Sequence, residues 1–121
     1  MYGLESIWPS GRTTIEGHAM GDVWPHSALP TDASDASSGY VPFHKLSQWL
    51  TYSLFEPLAE AGLKLTETQY MTGLPEYRNG GLFVDLGVLT AKYPEILSSS
   101  HKPDSEVIVE WRALTVILLV S

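Results

Sequence analysis

Gly3, Pro9, Gly11, Gly17, Gly21, Pro25, Pro30 and Gly39 punctuate the first 41 residues. No hydrophobic period of 3.6 or 2 survives that many breakers. A Ser/Asp/Ala-rich run from Thr31 to Gly39 falls inside the same stretch. The first third of the chain is therefore expected to be irregular. Structureless segments of that length are uncommon inside a compact domain. This one is either a functional loop region or part of something larger. With 121 residues in all, the chain has room for one domain at most.

From Pro42 the pattern changes. Phe43, Leu46, Trp49, Leu50, Leu54 and Leu58 recur at steps of three and four, one face of a helix. Pro42 suits a first turn, Pro57 should kink or end the helix, and Gly62 is a plausible stop. Leu63 to Thr68 reads as a short connection or strand. Leu82 to Leu89 fits both a strand and a helix period, and the helical reading is taken. Asp104 or Ser105 can cap a last helix from Glu106, with acids in its first turn. The spacing thus predicts a mainly α fold with helices near 43–60, 80–91 and 105–120. Leu46, Leu50, Leu54, Leu58, Leu86, Leu89, Trp111, Leu114 and Leu118 are expected to form a common apolar surface.

The last helix ends in Leu114-Thr-Val-Ile-Leu-Leu-Val120, followed only by Ser121. The run is far shorter than the ~20 residues a membrane span needs. A helix apolar all round belongs inside a larger core. The chain is accordingly expected to be a single partial domain, 1–121, of a larger helical domain. Exposed Ile117, Leu118 and Leu119 would make it aggregation-prone in isolation.

Charged residues make up only 17% of the chain, and the formal net charge is −7. The first sixty residues carry Arg12 and Lys45 against seven acids. No basic stripe exists to meet a phosphate backbone, so nucleic acid is not an expected partner. Anionic membrane surfaces are disfavoured for the same reason. Cysteine is absent, which excludes disulfides, thiolate zinc sites and cysteine nucleophiles. With no visible secretory signal, an intracellular, cytoplasmic location is expected.

Three clusters can carry chemistry. In Glu16-Gly-His-Ala-Met-Gly-Asp-Val-Trp-Pro-His26, His18, Asp22 and His26 stand four residues apart. Two imidazoles and a carboxylate can hold a metal with open positions. Gly17, Gly21 and Pro25 argue against the regular helix that would align them, and hydrogen-bonded loop residues are the other reading. In the second cluster, His44, Gln48 and Tyr52 form a polar row at i, i+4 and i+8. It can bind a planar polar ligand, with His44 as acid or base, or it is a solvated or interface face. The third, Gly73-Leu-Pro-Glu-Tyr-Arg-Asn-Gly-Gly-Leu-Phe-Val-Asp85, supplies Glu76 and Asp85 near Arg78, with Tyr77 and Asn79 between. Arg78 can grip a phosphate or carboxylate, and a carboxylate pair suits glycosidic cleavage. An Arg–Glu-stitched turn before a helix uses the same residues.

Together these three clusters, with Val109-Glu-Trp-Arg-Ala-Leu-Thr-Val, resemble the uracil catabolism protein four family, also described as uracil-regulated proteins. The resemblance spans nearly the whole chain. Family members are several times longer, and this chain resembles an internal-to-late segment, so the remaining N- and C-terminal segments are expected partners. The resemblance implies a role in pyrimidine breakdown through a uridine nucleotide and a ribosylated urea. A hydrolase acting on an N-glycosidic or urea-type bond is then expected, with a nucleoside- or nucleotide-derived substrate and no cofactor. Chemistry, not family precedent, suggests the roles. Glu76 or Asp85 would stabilise a ribosyl cation or direct water, and His44 and His18 would move protons. Arg78 would hold phosphate, Gln48 and Tyr52 would orient the urea, and Asn79 and Tyr77 would complete the binding surface. A metal-dependent hydrolase using His18, Asp22 and His26, or an inactive fragment or interaction module, are the alternatives.

Overall fold

The computed structural model describes residues 2–119. The fold is mainly α behind an irregular first third that carries two small antiparallel strand pairs. A 3₁₀ segment, Tyr2–Ile7, leads into β1 (Thr14–Ile15) and β2 (His18–Ala19). Glu16 and Gly17 join these strands with φ of 51° and 84°. Two consecutive positive φ values give a turn whose twist matches the hairpin.

β3 (Val23–Pro25) pairs with β4 (Tyr40–Pro42), Trp24 lying opposite Val41. The loop 26–39 between them is folded locally. Asp32 accepts from the N–H and hydroxyl of Ser34, and Asp35 does the same for Ser37. These side chains mimic turn backbone, which is why a Ser/Asp run can be ordered without regular structure.

Helix α1 spans Lys45–Glu60. It begins two residues later than expected because the Asp22 carbonyl accepts the N–H groups of Phe43 and His44 at 3.0 and 3.2 Å. His44 is thereby held in the left-handed region at φ 48°. Pro57 lies inside the helix without ending it. Gly62, at φ 81°, does end it. Its N–H donates to Ala59 O while that of Leu63 donates to Leu58 O, which completes a Schellman stop.

Residues 63–67 have no regular structure, and a 3₁₀ turn follows at Thr68–Tyr70. Helix α2 covers Tyr77–Asp85 rather than 80–91. Gly87 at φ 71° stops it with the same pair of reverse bonds, from Gly87 N to Val84 O and from Val88 N to Phe83 O. A short helical turn, α3 (Glu95–Ser98), precedes α4 (Glu106–Leu119). Val120, the last residue of the expected 105–120 helix, lies outside the described residues.

Helices α2 and α4 form the main helical contact. Gly80 makes this possible, because a β-carbon there would run into the Trp111 indole. The indole N–H instead donates to Tyr77 O at 3.2 Å. The core gathers Trp24, Phe43 and Val109, with Val41 and Ala113 packed against it. This differs from the expected apolar surface. Leu46, Leu50 and Leu54 are 54%, 52% and 42% exposed, and Leu86 is 69% exposed. Periodicity identified the apolar face of α1 correctly, but no other helix of the described residues covers it. Ile117 and Leu119 of α4 are also exposed. No helix among the described residues is long and apolar enough to cross a membrane.

Candidate active site

Asp22 and Arg112 organise the centre of the molecule. Arg112 is almost fully buried on α4, and burying a guanidinium demands a paired carboxylate. Asp22 supplies it in a two-pronged arrangement, Nη1 to Oδ1 at 2.7 Å and Nη2 to Oδ2 at 2.8 Å. Oδ1 also accepts the Trp24 indole N–H, and Oδ2 the backbone N–H of Lys45 at the start of α1. Burial would push the Asp22 pKa up. The hydrogen bonds from Arg112 and Trp24, the charge of Arg112 and the Lys45 N–H outweigh it and hold the value down at about 2. The Arg112 guanidinium also lies over the Phe43 ring, 4.3 Å from its centroid.

A second ion pair joins Lys45, in the first turn of α1, to Glu76, just before α2. Glu76 is positioned from its backbone. Its N–H donates to Thr115 Oγ1, and the Thr115 hydroxyl donates to Arg112 O. Thr115 and the adjacent Pro75 are fully buried, so this attachment is fixed. The Lys45 hydrogen bond is the main cause lowering the Glu76 pKa. Lys45 charge and the backbone N–H groups of Arg78 and Tyr77 add to it against a smaller opposing effect of burial.

These two pairs border a cleft of about 700 Å³. Trp8, Trp24, Trp49 and Tyr77 give it aromatic walls, and Arg12 adds a further cation. The volume falls in the range of small-molecule sites. Gly21 helps to shape this region, since a β-carbon there would meet the Trp8 indole at 2.6 Å.

Of the residues singled out from sequence, Glu76, Tyr77 and Asp22 line the cleft. Arg78 and Asp85 are exposed on α2, Asn79 is half-buried there, and none of the three borders the cleft. Gln48 and Tyr52 have partners within the chain. Gln48 accepts from the N–H and hydroxyl of Thr72 and donates to Phe43 O, while the Tyr52 hydroxyl donates to Thr72 O. The polar row on α1 thus fastens the 71–76 segment that carries Glu76. His44 contributes its backbone turn beside Asp22. His18 pairs with Glu5 at 3.1 Å, and the His26 ring accepts from Ala28 N–H. With Asp22 taken by Arg112, His18, Asp22 and His26 do not converge. No group of three His, Cys, Asp or Glu among the described residues could hold a metal.

Sequence reasoning missed Arg12, Lys45 and Arg112 as site residues. One signal was present: Arg112 is the only basic residue of α4 and stands between Trp111 and Ala113, and an arginine buried in such a setting needs an acid partner.

The fold and cleft define a mainly α protein with an aromatic-walled site bordered by two ion pairs. The chain belongs to the family described as "Protein of unknown function (DUF1688)", whose model matches residues 1–121. It is 50% identical over 117 residues to Protein urg3 of Schizosaccharomyces pombe, covering 96% of this chain and 27% of that protein. It is 45% identical over 141 aligned positions to Uracil catabolism protein 4 of Lachancea kluyveri, covering 98% of this chain and 31% of that protein. The chain therefore spans less than a third of the length of these relatives. No solved structure matches it.

Proposed function

We propose that this chain serves uracil catabolism and forms part of a site that hydrolyses an N-glycosidic bond in a ribosylated, urea-type intermediate. The pathway assignment follows the name of the Lachancea kluyveri relative, Uracil catabolism protein 4. The observation that carries the chemical reading is the fixed Glu76 carboxylate in an aromatic-walled cleft. A carboxylate held ionised by Lys45 suits stabilisation of a ribosyl cation better than proton donation. In this reading the C1′–N bond breaks with its electron pair leaving on nitrogen. Water adds to C1′ beside Glu76, which orients it. The water's proton is released and the leaving nitrogen gains one from solvent. Tyr77 and the tryptophans pack against the planar urea, and Asp22 keeps Arg112 and Lys45 in place.

Turnover of a ribosylurea substrate by a full-length family protein tests this. Replacing glutamate by glutamine at the position of Glu76 is expected to lower kcat by roughly a hundredfold or more, with the fold retained. Undiminished turnover would remove the proposal. A second reading is favoured by the uncovered α1 face, where Leu46, Trp49 and Leu50 are each more than half exposed. In it the chain is an interaction module whose α1 stripe docks on further protein, and the 121-residue chain alone shows no turnover.

A further inference from the structure

The charges around the cleft do not cancel. Arg12, Lys45 and Arg112 line it as cations, and Asp22 and Glu76 as acids. Two of the cations are paired, Lys45 with Glu76 and Arg112 with Asp22. Arg12 is the remainder. Its guanidinium lies 4.9 Å from the Trp24 ring centroid and 6.0 Å from that of Trp8. It has no carboxylate partner among the described residues. A hollow that shares Arg12 and Trp24 with the cleft adds Lys102 and Asp104, which leaves the balance unchanged. A chain of formal charge −7 thus sets at this cleft a cation with no carboxylate partner among the described residues. Low-dielectric aromatic walls strengthen the field of such a charge.

Arg112, held by Asp22, adds a second guanidinium to the same lining. Its Nε is buried and finds no acceptor among the described residues. Buried donors left without acceptors are rare in native folds.

We infer that the cleft takes an anionic ligand, a phosphate ester on a ribose-sized group, and that Arg12 reads the charge. This rests on the hydrolytic reading and sharpens it: the substrate is the phosphorylated form. Cation–π contact with the two indoles holds the guanidinium at the cleft, and its planar fork of N–H donors matches phosphate oxygens. Arg12, and not Arg78 as the sequence suggested, then carries the phosphate.

Three tryptophans border the cleft, so their fluorescence reports its occupancy. The 121-residue chain is titrated with ribose 5-phosphate and, as the neutral control, ribose. The ester is expected to bind saturably and the neutral sugar at least about tenfold more weakly. Arg12→Gln is expected to weaken ester binding by about tenfold or more, and Arg12→Lys, which keeps the charge, by less. Added salt should weaken ester binding and leave ribose unaffected. Equal binding of ester and neutral sugar, or no ester binding, overturns the inference without recourse to any variant. So does Arg12→Gln that binds the ester as wild type does. Ester binding without hydrolysis of ribosylurea 5-phosphate would leave the anion site standing and remove the hydrolytic reading. Equal turnover of phosphorylated and unphosphorylated ribosylurea would do the reverse.

Discussion

The Asp22 carboxylate and the Arg112 guanidinium meet through two parallel hydrogen bonds of 2.7 and 2.8 Å, although ninety residues separate them in the chain. The pair ties the irregular first third to the last helix. Arg112→Ala is expected to cost about 3–5 kcal/mol, because it leaves a buried carboxylate unpaired. Exchanging both residues for apolar ones, Asp22→Leu with Arg112→Met, should cost less than the two single changes added together. Urea denaturation of the four proteins checks this. Additive single costs would show that the two side chains act separately.

The same pair gives stability a dependence on acid. Asp22 titrates at about 2 in the folded chain against its usual 3.8. A lowered native pKa means that the folded state resists protonation more than the unfolded state. The contribution is complete above about pH 4 and is lost as the pH falls through about 2. It amounts to about 2 kcal/mol. Urea midpoints measured between pH 2 and 6 should fall more steeply with acid for the wild type than for Asp22→Asn. Glu76, also lowered, adds to the background slope in both proteins.

Gly80→Ala should reverse the ordinary helix rule. In an exposed helix interior the exchange stabilises by about 1 kcal/mol. Here the new methyl group meets the Trp111 indole where α2 crosses α4. The expected result is a loss of about 1–3 kcal/mol, with a changed near-ultraviolet tryptophan signal.

Tyr52→Phe removes one hydroxyl that donates to Thr72 O at 2.8 Å. The cost should be about 0.5–1.5 kcal/mol of stability with no change in ligand affinity. Gln48→Ala, which loses bonds to both Phe43 and Thr72, should cost more. A Tyr52→Phe protein of unchanged stability and weakened ligand binding would return Tyr52 to the substrate.

Asp85 closes α2 at its C-terminal end, exposed and away from the cleft. A negative charge there opposes the helix dipole. Asp85→Asn should therefore raise stability by about 0.3–1 kcal/mol and leave turnover unchanged. Lost turnover would move the catalytic carboxylate from Glu76 to Asp85.

Local signals in the sequence were readable where their physics is local. Gly62 ends α1 where the pattern placed the stop, and α4 starts where Asp104 and Ser105 precede its acidic first turn. The end of α2 was misjudged because Gly87 interrupts an apolar run whose period continues through Leu89. The β3–β4 pair was invisible, since strands of three residues carry no period and the loop 26–39 separates them. The α1 stripe was readable as apolar, but periodicity cannot say what covers a face. In the site, Glu76 and Tyr77 were legible from their motif. Arg12 was not, because its setting depends on Trp8 and Trp24, which meet only in three dimensions. Gln48 and Tyr52 have the spacing expected for a shared face, and in the fold both hydrogen-bond Thr72.

Chain order matters for how the Asp22–Arg112 contact can arise. On a ribosome Asp22 is made first, and its partner follows ninety residues later. At about 5–20 residues per second, the carboxylate waits roughly five to twenty seconds for its guanidinium. Throughout that interval the first third can form its hairpin and its Ser/Asp turns, but not its closing bond. Final assembly of the cleft waits on the synthesis of α4.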